Sequence, residues 1–188
     1  MLNESSNLKE IFNLIFPEFE NLQRLDRLNK ICNHSQLNIN LILATLLVDD
    51  KKSHEYFGHK YSISNNIKDS LNLFAKNLGL IEENKDFFDK DLEKNIYLYD
   101  KNHLIELNIL NFVINTKIKL KDFSETLKRI LKSKIHKFSI DGNYLMKNGM
   151  QQGAIIGKVL EKIEEEWIRN NFQITEDRVQ ELIRQHSN

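Results

Sequence analysis

Proline occurs once in 188 residues, at Pro17, and cysteine once, at Cys32. A single cysteine rules out an intrachain disulfide framework and fits a reducing compartment; its place in a helical apolar pattern makes it a buried structural thiol, not a nucleophile. Charge of one sign is not in excess either. Lysine and arginine number 27 and so do aspartate and glutamate, so no global field draws the chain to nucleic acid or to a membrane, and any such surface is local. Long apolar runs are missing too. The longest, Leu41–Val48, carries Thr45 and is too short to span a bilayer, and no signal-peptide pattern opens the chain. These absences point to a cytoplasmic protein with no membrane partner.

What is present is apolar spacing of helical period, which predicts an all-α fold. Leu8, Ile11, Phe12 and Ile15 form one face, stopped by Pro17. Phe19, Leu22, Leu25 and Leu28 form the next, with Arg24, Asp26 and Arg27 expected outside. Leu37–Val48 is apolar nearly all round and reads as a central helix. Residues 49–61 read as a charged connection. Ser64 is placed to cap a helix carrying Ile67, Leu71, Phe74 and Leu78, with Gly79 as its stop. The acidic stretch around Glu82–Glu93 reads as a loop and the solvated face of a following helix. Leu104–Ile114 and Phe123–Leu131 give two more helices, and Thr175 caps a last one whose stripe is Val179, Leu182 and Ile183. The expected architecture is a helical, bundle-like body over 1–137 and a smaller helical tail over 138–188.

Four of the six glycines fall between Asp141 and Asn171. Asp141 is a good N-cap for the short segment 143–148, and Gly149 stands where a helix end requires positive φ. The helical pattern then resumes as Ile155, Ile156, Val159, Leu160, Ile163 and Trp167, with Gly153 and Gly157 four apart near its start. Packing is one explanation for that pair: a flat face against which another helix lies closely. Anion binding is the other, since the first amides of a helix lack intrahelical partners and its dipole favours negative charge, with Lys147 and Lys158 flanking the join. A Gly-x-x-x-Gly spacing alone favours packing.

The run from Asp141-Gly142 through Gly149, Gly153, Gly157, Val159-Leu160, Glu164, Trp167-Ile168 and Phe172 resembles the C-terminal segment of bacterial tRNA nucleotidyltransferases, the CCA-adding enzymes and their poly(A) polymerase relatives. Gln152 and Ala154 stand where that family usually has prolines. Ile15-Phe16-Pro17-Glu18, Leu43–Leu47 and Ser62–Asn65 are similar to the family's α-helical body. The family's catalytic head carries Gly-Gly-x-Val-Arg-Asp and a metal-binding Asp-x-Asp, and its neck carries Glu-Asp-x-x-Arg; this chain is expected to lack all three. The resemblance therefore implies a tRNA-binding C-terminal part without catalytic residues of its own. Mg²⁺ and CTP or ATP are implied only for the absent head, which would be excised or a separately encoded subunit. In the latter case an exposed apolar patch is expected near Leu8–Leu28. A helical remnant or protein-interaction domain without RNA affinity is the alternative.

Charge supplies a separate clue. Lys117, Lys119, Lys121, Lys128, Arg129, Lys132, Lys134 and Lys137 crowd into 21 residues against Asp122 and Glu125. Such clusters give sequence-independent affinity for nucleic acid by neutralising phosphate, though a solvated helix face has the same composition. Combined with the resemblance, which implies a tail that grips the tRNA elbow, the candidate RNA-binding residues are Lys128, Arg129, Lys132, Lys134, Lys137, Lys147, Gly149, Gly153, Gly157 and Lys158. Contacts are expected to phosphate and 2′-hydroxyl. No metal site is expected: His54 and His59 are five apart with a glycine between, unlike the i, i+4 pair that zinc needs. His103 and Glu106 read as a surface helix pair. Asp49-Asp50 and Glu164-Glu165-Glu166 read as solvated, and Trp167 as core.

Overall fold

The computed structural model describes residues 14–32 and 37–186, and within them every regular element is a helix. Leu8, Ile11 and Phe12 lie outside the described residues. The helices are α1 (Arg24–Asn29), α2 (Ile39–Leu47), α3 (Ser53–Lys60), α4 (Asn65–Glu83), α5 (Leu92–Tyr99), α6 (Lys101–Ile114), α7 (Leu120–Lys132), α8 (Gly142–Lys147), α9 (Ala154–Arg169) and α10 (Glu176–His186).

The central helix is where the sequence puts it. Asn38 caps α2 by accepting from the Asn40 amide at 3.0 Å, and Leu41, Ala44, Thr45 and Leu47 are wholly buried. Thr45 is tolerated there because its hydroxyl donates back to the Leu41 carbonyl at 2.9 Å, so no polar atom is left unpaired. Helices α1, α3, α4 and α6 all pack against α2. Ser64 caps α4 as expected, through the Ile67 amide.

Four local expectations fail. Residues 49–61 are not merely a connection, since α3 occupies most of them; Asp49 organises its start by accepting from the Lys51 and Ser53 amides, each at 3.0 Å. Gly79 does not stop α4, which runs on to Glu83, because Leu78, Leu80 and Ile81 pack on the core and outweigh one glycine's propensity cost. Arg24 and Arg27 do not face solvent. Arg24 donates to the Thr45 and Val48 carbonyls at 3.1 and 2.7 Å. Arg27 forks onto the Phe112 carbonyl at 3.1 and 2.6 Å, reaches those of Asn115 and Ile118, and lies over the Phe112 ring at 4.4 Å. Each arginine satisfies the orphan carbonyls at a helix C-terminus, where the dipole favours a cation. Finally, His103 is no surface partner of Glu106: its ring stacks on Phe74 at 4.9 Å and Nε2 lies 3.0 Å from the Asn77 amide.

The buried apolar side chains fall into two clusters. The larger runs from Phe19 to Ile130 and draws on α1 to α7. The smaller joins Leu145, Met150, Val159, Ile163, Val179, Leu182 and Ile183 from α8, α9 and α10 and the connection after α8. Aromatic and polar contacts bridge them. Tyr97 of α5 meets the Trp167 ring edge-on at 5.3 Å, and its hydroxyl donates to Glu164. His136, paired with Glu93 at 2.6 Å, stacks on Phe172 at 3.7 Å. Glu164 and Glu166 are thus not a solvated face: the Arg178 guanidinium holds Glu166 through bonds of 2.7 and 3.0 Å, pinning α10 to α9.

Candidate nucleic-acid interface

The glycine segment folds as its residues require. The Asp141 carboxylate accepts from the Tyr144 amide at 2.8 Å and starts α8. At the far end the Met150 amide bonds the Leu145 carbonyl and the Gly149 amide bonds that of Met146, both at 3.1 Å. That pair of bonds is a Schellman turn. It demands positive φ at the residue beyond the cap, and Gly149 has φ +99°. Leu145 and Met150, both buried, close the turn by apolar contact.

Gly153 then precedes α9 without a side-chain cap, and the first turn carries no acidic residue. The Ile156 amide is taken by the Gly153 carbonyl at 3.2 Å. The amides of Ala154 and Ile155 have no protein acceptor among the described residues, and both residues are exposed. Nothing lies within 4 Å of a Cβ built on Gly153 or Gly157. The packing explanation for this pair fails within the described structure, because no helix lies against them. Ile155, expected on the apolar stripe, is also exposed. Lys147 and Lys158 are exposed and form no ion pair among the described residues.

The basic stretch sits elsewhere. Lys128, Lys132, Lys134 and Lys137 are exposed and likewise unpaired, whereas Arg129 is tied to Asp89 at 2.8 Å. After α7 the chain runs antiparallel along α9. His136 and Phe138 lie against Trp167 and Phe172 near the end of that helix, and Gly142 lies against Ile156 near its start. Eleven residues of helix separate those points, about 16 Å. So Lys147, Gly149, Gly153, Gly157 and Lys158 gather at one end of α9, while Lys134 and Lys137 enter from the other. Trp167 and Phe172 are occupied by the protein's own rings and present no free stacking platform of the kind single strands use.

One expected absence needs correction: the chain does contain an Asp-x-Asp spacing, Asp89-Lys90-Asp91. Asp89 is held by Arg129 and Asp91 accepts from the Asn84 amide at 2.8 Å. Among the described residues no group of three or more histidines, cysteines, aspartates or glutamates is placed to hold a metal ion, and no helix is long and apolar enough to cross a membrane. Comparisons with protein-family models, with curated proteins and with solved structures find no match.

Sequence reasoning missed one set of groups altogether. His54, Lys68, Asn72 and Lys76 line a common cleft between α3 and α4. The only sequence signal was the four-residue spacing of 68, 72 and 76, unremarkable while 49–61 reads as a connection.

Proposed function

We propose that this chain is the tRNA-binding C-terminal portion of a CCA-adding tRNA nucleotidyltransferase, acting in tRNA 3′-end maturation beside a catalytic head carried elsewhere. The observation that carries the reading is the open start of α9: uncapped amides, no acidic side chain in the first turn, and two exposed lysines beside it. That combination suits a phosphate. The exposed lysines of α7 and the following segment supply the second contact zone. Contacts at two separate places suit a folded RNA arm, because shape readers of duplex RNA touch phosphates and 2′-hydroxyls at several places along the helix. Mg²⁺ and CTP or ATP belong to the head in this reading, and the chain alone adds no nucleotide. Leu14 and Ile15, 86% and 54% exposed, fit a surface that such a head would cover.

The test is an electrophoretic shift of tRNA titrated with the chain across salt concentrations. Each phosphate contact contributes nearly one unit to the slope of log affinity against log salt. Reversing the charges of Lys128, Lys132 and Lys134 should flatten that slope by about 2 to 3 units and weaken binding at every salt concentration. A chain that shifts no tRNA at low salt is the helical domain without RNA affinity instead.

A further inference from the structure

Helices α3 and α4 enclose a cleft of about 600 Å³ on the body, apart from the glycine segment. Two carboxylates line it, and both have other work. Asp49 accepts from the Lys51 amide, the Ser53 amide and, at 2.7 Å, the Ser53 hydroxyl, while Glu55 pairs with Lys52 at 3.3 Å. Lys68 and Lys76 also line the cleft and form no ion pair among the described residues. They stand two four-residue steps apart on one face of α4, with Asn72 midway, so their stems leave the helix about 12 Å apart. The stem of Lys68 lies across α3 at Gly58, where an added Cβ would make ordinary contact with Lys68 Cγ at 3.4 Å and Cε at 3.5 Å.

The lining also holds His54, only 6% exposed, whose Nδ1 is sealed from solvent with no hydrogen-bond partner among the described residues. Burial lowers its pKa below the usual histidine value, which favours the neutral ring. A buried N–H without an acceptor is rarer and more costly than a bare lone pair. On that ground the proton is assigned to Nε2, as the donor a ligand would meet. Two ammonium groups without an ion pair among the described residues, an amide and an imidazole thus line one cleft, whose two carboxylates are held by Ser53, Lys51 and Lys52.

We propose that the α3–α4 cleft is a phosphate-binding site. Lys68 and Lys76 neutralise the ligand, and Asn72 and His54 Nε2 donate to its oxygens. A nucleotide or polyphosphate and an RNA backbone present the same chemistry. The site stands on residues that the tRNA-binding reading does not use.

The experiment titrates the whole chain with inorganic phosphate, pyrophosphate, ATP and, separately, tRNA at constant ionic strength. It follows the His54 ring resonances by ¹H–¹³C NMR, assigned with His54→Gln. Saturable movement of those resonances is expected, with affinity reduced at least about tenfold in the Lys68→Ala/Lys76→Ala double variant, as the loss of two charge-assisted donors requires. Response to the small phosphates identifies a small ligand; response to tRNA alone identifies an RNA backbone. Reversing Lys128, Lys132 and Lys134 should leave the response to small phosphates unchanged, which separates this site from the basic stretch proposed to bind tRNA. No saturable movement with any of the four ligands, or equal movement in the double variant, overturns the proposal.

Discussion

Replacing Gly157 with alanine should move stability and RNA affinity in opposite directions. Gly157 lies in the second turn of α9, in helical conformation and exposed, and a Cβ built there meets nothing within 4 Å. The folded state then loses nothing, while the unfolded chain gives up glycine's extra freedom. The expected gain is about 1 kcal/mol, or roughly 2–4 °C in Tm for a chain of this size. Gly149→Ala is the control from the same segment. It too has open space, but its φ of +99° imposes left-handed strain, so it should destabilise by about 1–2 kcal/mol. Urea denaturation followed by far-ultraviolet circular dichroism and by fluorescence of Trp167, the only tryptophan, reads both. If the start of α9 seats a phosphate, the new methyl of Gly157→Ala stands between ligand and backbone, and tRNA affinity falls while Tm rises. A destabilised Gly157→Ala would refute the reasoning, because it would show a surface packed on that glycine. Unchanged tRNA affinity would remove α9 from the interface.

Three further outcomes follow from contacts remote in sequence. Arg27→Ala strips carbonyls at the end of α6 and beyond of their shared donor and should cost about 2–4 kcal/mol in urea denaturation. Arg27→Lys should recover less than half of that, since an ammonium cannot fork or stack as a guanidinium does. Tyr97→Phe removes the hydroxyl that joins α5 to Glu164, where burial and then the carboxylate push the phenol up to about 12; a loss of roughly 1–2 kcal/mol should appear in the Trp167 signal. Stability should also depend on pH. Burial lowers the pKa of His54 and His103 below the ordinary histidine value of 6.5. Their contribution is complete above that value and falls away below it, as the unfolded chain takes up protons first. Glu106, raised by burial, opposes this fall as pH drops towards the ordinary carboxylate range. Glu166, held low by its bonds to Arg178, adds a further loss below that range. Tm measured from pH 8 to pH 4 should therefore start to decline near pH 6.5, and the first part of the decline should shrink in His103→Gln.

The sequence alone determined the all-helical class, the central helix, the Ser64 and Asp141 caps and the Gly149 turn, because each depends on residues within a turn or two of one another. Apolar period, cap chemistry and the demand for positive φ are local properties of the chain. Only the tertiary structure decided where charged and polar groups went. Arg27 reads like any lysine or arginine on a solvated face until α6, 85 residues away, brings the Phe112 carbonyl to it. Tertiary packing likewise set His103 on Phe74, brought the segment carrying Lys134 and Lys137 to the opposite end of α9 from the open glycines, and turned a charged connection into one wall of a basic cleft. A polar side chain stays in water unless a partner offsets the cost of burying it, and the partner's position is fixed by the whole fold.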